Sequence, residues 1–186
     1  MKRLTYTSVV VLLLGASLFS CRSSGHSSDT RESTGSAAVA ASNANALGFT
    51  AMDLEGKPFD GRTLKGKTIL LDFWAVWCKP CLAAFPALKR LNRDFARRNF
   101  EVVGMAVYSG TPADVKKVVK EHGVDYRVLV GDEALVKRFG VIGYPSYFLV
   151  RPDGTIYKKY VGEVPDLYET IAAALDTVQL QAQPQN

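Results

Sequence analysis

From Lys67 to Ala75 the chain is apolar almost without a break, Thr68-Ile69-Leu70-Leu71-Asp72-Phe73-Trp74, and just beyond it comes Cys78-Lys79-Pro80-Cys81. Such a run reads as a strand buried on both faces of a sheet. After the cysteines, Leu82, Phe85, Leu88, Leu91 and Phe95 recur at spacings of three and four. That periodicity predicts an amphipathic helix over Pro80 to Phe95, with a kink expected at Pro86. The cysteine pair therefore falls where a central strand gives way to a helix.

The rest of the pattern fits a strand-and-helix domain. Phe49 to Asp53 alternates, stops at Glu55-Gly56-Lys57 and resumes at Phe59, which predicts a short hairpin. Glu101 to Tyr108 is a second strand. Thr111 caps a helix over Pro112 to His122, with Pro112 in its first turn. Tyr126 to Val130 is a strand, and Glu133 to Phe139 a helix closed by Gly140. Ser146 to Arg151 and Thr155 to Val161 are strands joined by the turn Pro152-Asp153-Gly154. Pro165 to Thr177 is the last helix. This order predicts an α/β domain, a central sheet with helices on both faces.

The placement of the cysteines bears on their chemistry. Thiol exchange runs through the thiolate, and a free cysteine has a pKa near about 8.5. A cysteine just before the first helical turn meets unpaired N–H groups and the positive end of the helix dipole. Lys79 adds a cation beside it, and Pro80 suits a turn whose N–H would be unpaired anyway. Cys78 is expected to attack a partner disulfide, and Cys81, one turn on, to release the partner by attacking Cys78. Two other readings compete, half of a zinc site or an inert structural disulfide. Zinc needs two more ligands, and the only histidines are His26 and His122.

The N-terminus has the form of an export signal. Lys2 and Arg3 precede an apolar run from Val9 to Phe19, too short for a bilayer core of about 30 Å, which takes roughly 20 helical residues. It ends Leu18-Phe19-Ser20-Cys21, which resembles a bacterial lipobox and makes Cys21 the candidate lipidation site. An uncleaved anchor and a simple secretory signal are the alternatives. All three put the domain outside the cytoplasm. Residues 22–46, rich in Ser, Ala, Gly and Asn, read as a flexible linker with a reach of roughly 25–30 Å. The domain is expected over 47–178, with a polar tail over 179–186. The net charge of +5 falls to +3 without Lys2 and Arg3. The remainder is too dispersed for a nucleic-acid-binding face.

Asp72-Phe73-Trp74-Ala75-Val76-Trp77-Cys78-Lys79-Pro80-Cys81 resembles the active-site segment of thioredoxins. Pro86 matches their helix proline, Gly143-Tyr144-Pro145-Ser146 their cis-proline loop, and Val161-Gly162 their glycine turn. Leu64-Lys65-Gly66-Lys67, the early hairpin and the unit from Gly110 to Asp132 are similar to the TlpA/ResA group of membrane-bound thioredoxin-like proteins. The resemblance implies a thioredoxin-like fold: a central mixed β-sheet flanked by helices, with an N-terminal hairpin and a central added βα unit.

It also implies roles. Asp72 would be a buried acid that takes the proton of Cys81. Thioredoxins often carry a lysine beside this acid, where alignment places Gly104 here. Tyr144-Pro145 would be a cis bond whose neighbouring backbone pairs with a substrate segment. Trp77, Lys79, Pro80, Tyr144 and Pro145 would border the bound substrate, and Trp74 would serve packing. The implied protein is a monomeric thiol–disulfide oxidoreductase, tethered to a bacterial membrane through Cys21, on the periplasmic side or the outer face of the cytoplasmic membrane. It would reduce specific protein disulfides, as in cytochrome c maturation or oxidase copper-site assembly. Its electrons would come from a membrane thiol carrier, and it would need no cofactor or metal beyond the Cys78–Cys81 disulfide. The alternatives are an oxidant or isomerase for exported proteins, a copper-site assembly factor, a thiol peroxidase (disfavoured by Ala75, where that chemistry wants Thr or Ser) and a binding module that kept the fold.

Overall fold

The computed structural model describes residues 45–181. The expected leader, Cys21 and most of the expected linker lie outside them. Seven strands, β1 (Thr50–Asp53), β2 (Pro58–Asp60), β3 (Thr68–Trp74), β4 (Phe100–Ala106), β5 (Arg127–Val130), β6 (Ser146–Val150) and β7 (Ile156–Val161), form one sheet in the order β2-β1-β5-β4-β3-β6-β7. β3, β4 and β5 are parallel, and the other neighbours are antiparallel. The sheet is mixed, with the hairpin β1–β2 at one edge and β6–β7 at the other. Among the described residues four α-helices accompany it: α1 (Lys79–Phe95), α2 (Pro112–Glu121), α3 (Glu133–Phe139) and α4 (Leu167–Gln181). The thioredoxin-like α/β fold is the one expected, and α2 with β5 is the added unit.

β3 lies near the middle of the sheet, and all seven of its residues are buried. Its alternation divides the core. Leu70 and Trp74 face one cluster with Phe85, Leu88 and Leu91 of α1 and Ile171 and Leu175 of α4. Ile69, Leu71 and Phe73 face another with Leu47, Phe49, Phe148 and α3 residues Leu135, Val136 and Phe139. Burying one such side chain contributes about 1.5–3 kcal/mol, so β3 anchors both layers. On α1 the buried positions are Cys81, Phe85, Leu88, Leu91 and Phe95. Cys81 takes the first place on the core stripe, and Leu82 is only half-buried.

The boundaries differ from the expected ones at both ends. Ala46, expected in the linker, is buried, and its N–H donates to the Gly154 carbonyl at 2.8 Å. The guanidinium of Arg138 donates to the carbonyls of Asn45 and Gly48, both at 2.6 Å. The last helix begins at Leu167 instead of Pro165, because Asp166 has φ 46°, outside the helical region. It continues to Gln181, past the expected Thr177, and the side chain of Gln179 donates to the Arg98 carbonyl at 2.8 Å. Among the described residues no helix is long and apolar enough to cross a membrane.

Candidate redox site

The site stands at the C-terminal end of β3, where the chain leaves the sheet and enters α1. Cys78 is the N-cap of α1, with extended backbone angles. The Cys81 N–H donates to the Cys78 sulfur at 3.3 Å, one of the helix-end donors that otherwise lack partners. Cys78 and Cys81 are joined in a disulfide, with Cα atoms 5.3 Å apart. Both are buried, Cys78 with 5% of its surface exposed and Cys81 with 1%. A partner therefore meets Cys78 first. The sulfur that accepts a helix-end N–H is also the one placed to carry negative charge when reduced. Lys79 is exposed beside it, and Pro80 occupies the first turn.

Several segments hold this turn. The Val107 N–H donates to the Trp74 carbonyl at 3.0 Å, and the Cys78 N–H to the Ala75 carbonyl at 3.0 Å. The buried hydroxyl of Ser109 accepts from the Val76 N–H at 3.1 Å and donates to the Val107 carbonyl at 2.9 Å. The Trp77 indole N–H donates to the Tyr108 carbonyl at 3.1 Å. Tyr108 and Ser109 follow β4 and lie 31 and 33 residues beyond the Trp77 and Val76 that they hold, so nothing in the Cys78 segment pointed to them. Their one local signal was a tyrosine and a serine before Gly110, at the close of a strand.

The Tyr144–Pro145 peptide bond is cis. The Pro145 carbonyl accepts from the Gly162 N–H at 2.7 Å, and Gly162 has φ 82°, a conformation that favours glycine. Trp77 packs edge-on against Tyr144 with ring centroids 5.9 Å apart. Trp77 is 61% exposed, and Ile142, two residues before Tyr144, is 85% exposed. Tyr108 and Val161 are exposed as well. Ile142 was not singled out by its sequence context. Beside the proline runs a groove of about 290 Å³ lined by Pro80, Ala84, Ala87, Pro145, Tyr147 and Glu163 among others. The structure thus brings Trp77, Pro80, Tyr144 and Pro145 together around the disulfide.

Asp72 lies on β3 between Leu70 and Trp74, so it faces the α1 side of the sheet. It is 1% exposed, and neither carboxyl oxygen has a hydrogen-bond partner among the described residues. Burial pushes its pKa up to about 8. Its register partners are Gly104 on β4 and Tyr147 on β6, so the strand beside the acid carries no cation at that position. Trp74 is fully buried and packs edge-on against Phe85, with centroids 5.0 Å apart. Among the described residues no group of three or more His, Cys, Asp or Glu side chains is placed to hold a metal ion.

A cysteine pair capping a helix, a cis-proline beside it and a mixed sheet beneath define the class of thioredoxin-like thiol–disulfide oxidoreductase domains. Residues 34–175 match the Redoxin family model, and the chain belongs to that family. It is similar to the thiol-disulfide oxidoreductase ResA of Bacillus thuringiensis, 33% identical over 117 residues, which are 62% of this chain and 66% of that protein. With ResA of Bacillus subtilis it shares 30% identity over 123 residues, 66% of this chain and 68% of that one. The match thus spans 66% and 68% of the length of these two relatives, about two thirds. Among solved structures it is similar to the exposed lipoprotein thioredoxin of Streptococcus pneumoniae, with TM-score 0.58 and 28% identity, over 69% of this chain and 98% of that one.

Proposed function

We propose that the chain is an extracytoplasmic thiol–disulfide oxidoreductase that reduces specific protein disulfides through Cys78 and Cys81. The observation that carries the exchange chemistry is the Cys78 sulfur at the N-cap of α1, accepting the Cys81 N–H; the reducing direction rests on the similarity to the ResA proteins. In the reduced protein the Cys78 thiolate attacks a partner disulfide. One partner sulfur bonds to Cys78, and the other leaves as a thiolate that takes up a proton. Cys81 then gives its proton to the Asp72 carboxylate and attacks Cys78. The bond to the partner breaks, the second partner sulfur leaves, and the Cys78–Cys81 disulfide forms. Two electrons have passed to the partner. Asp72, at about 8, is close to an ordinary thiol at about 8.5, so the proton moves between groups of similar affinity.

The apolar rim of Trp77, Tyr144 and Ile142 receives the segment that flanks the partner's cysteine, and backbone beside Pro145 pairs with it by strand addition. The Cys78–Cys81 disulfide is the only redox group the cycle uses, with no organic cofactor or metal. Electrons return from a membrane thiol carrier. Lipid on Cys21 tethers a monomer to the membrane. The names of the ResA relatives support the thiol–disulfide exchange, and that of the pneumococcal lipoprotein the exposed, lipid-bearing form; on this reading the process served is assembly of cytochrome c or of an oxidase copper site. Lipid labelling of the full chain in bacterial cells tests the tether. Label should be incorporated and be lost in Cys21→Ser, whereas equal labelling of both would contradict it.

One observation favours a second reading, an oxidant of exported proteins. The N–H on the Cys78 sulfur and the exposed Lys79 both stabilise the thiolate, which makes a disulfide more oxidising. The reduction potential separates the two.

A further inference from the structure

Asp72 shares its side of the sheet with three other buried polar groups that have no partner among the described residues, the Trp74 indole N–H and the hydroxyls of Tyr126 and Tyr160. Orphaned donors beside an orphaned acceptor are rare in a packed core, because each costs free energy when left unpaired. Gly104, the register partner of Asp72, leaves room for Trp74 and Tyr126 on this side. A Cβ at position 104 would meet Trp74 Nε1 at 3.0 Å and the Tyr126 ring at 3.3 Å. The glycine therefore leaves the space next to Asp72 to these two side chains. Tyr126 is nine-tenths buried, and its pKa is raised well above the usual tyrosine value, first by burial and then by the charge of Asp72.

We propose that Trp74 and Tyr126 are positioning residues for Asp72, whose N–H and O–H turn onto the carboxylate as hydrogen-bond donors when it ionises. This rests on the proton-accepting role proposed for Asp72. Both donors are neutral, so they steady the carboxylate without the attraction a cation would add. In the oxidised protein described here, with Asp72 protonated at neutral pH, the pairing is not called for. In the reduced protein it forms as Asp72 loses its proton, and it breaks as the Cys81 proton arrives. The other groups around the acid are accounted for. β6 presents Tyr147, on which burial and then Asp72 and Glu163 act to raise the pKa. β7 presents Tyr160, whose hydroxyl is also unpartnered but which has Tyr147 between it and the acid; the N-cap presents Cys78 and α1 Cys81, and α4 adds Leu167, Ile171, Ala174 and Leu175, all apolar. Asp125, next to Tyr126, is exposed.

The chain has only two tryptophans, which makes the test direct. In the reduced full-length chain, the Trp74 indole N–H resonance is followed by NMR as pH passes through about 8. It should move along the same curve as the Asp72 carboxyl carbon, and stay fixed in Asp72→Asn. Trp77, whose N–H is held by the Tyr108 carbonyl, is the internal control and should not follow that curve. In Tyr126→Phe the Asp72 midpoint should rise by about one pH unit, and the pH profile of the exchange rate should shift with it. A Trp74 signal that ignores the Asp72 titration overturns the proposal, as does an unmoved midpoint in a folded Tyr126→Phe protein. If that variant does not fold, the Trp74 titration of the unaltered chain decides. If Trp74 tracks Asp72 but the exchange rate ignores that titration, the positioning stands and the base role of Asp72 fails.

Discussion

The two faces of the central sheet are built to different ends. On the α3 side, Phe73, Phe139 and Phe148 pack with centroids 5.0–5.5 Å apart, and that cluster holds no buried charge. On the α1 side, the same strand that supplies Phe73 also supplies Asp72, buried with both oxygens unpartnered. The first face is an apolar core that stabilises the fold. The second gives up stability to keep an acid dry beneath a reactive sulfur pair. A single strand serves both because its side chains alternate.

The sharpest way to break the comparison is Cys78→Ser. It should abolish disulfide exchange, read as reduction of a model protein disulfide, and leave thermal stability near that of the reduced parent. Phe148→Ala on the other face should do the reverse. It should cost about 3–5 kcal/mol in denaturant unfolding and leave the pH profile of exchange in place.

Asp72→Asn should touch both properties. Exchange at neutral pH should slow by about a hundredfold in the step that resolves the mixed disulfide, measured by stopped flow. Stability should rise by several kcal/mol at alkaline pH. Burial raises the Asp72 pKa from 3.8 to about 8, so between those values the folded chain holds a proton that the unfolded chain has lost. Stability of the parent must therefore fall as pH climbs through that window, and the Asn variant should lack that slope. The smallest effect belongs to Ser109→Ala. Losing its bonds to Val76 and Val107 should cost about 1 kcal/mol and slow exchange only a few-fold.

What the sequence made legible follows the same division. The strand–turn–helix around Cys78 was readable because the apolar run, Pro80 and the helical periodicity are all local. The cis bond before Pro145 and the placing of Gly104 opposite Asp72 came through family resemblance, since neither register nor peptide isomer is written in local pattern. Ser109, Tyr108 and Tyr126 escaped notice because their meaning lies in contacts across strands. Tyr126 in particular looks like any strand-start tyrosine until β5 is laid beside β4. That Ala46 belongs to the fold was hidden because it is held by a backbone bond to Gly154, which a Ser- and Ala-rich composition conceals.

The most direct test of the central claim is the reduction potential of the Cys78–Cys81 pair, measured by equilibrating the chain in dithiol buffers of graded poise. A protein that donates electrons to other proteins should give a value near or below that of thioredoxin, about −270 mV. A value close to about −120 mV would contradict the account and make the protein a disulfide donor.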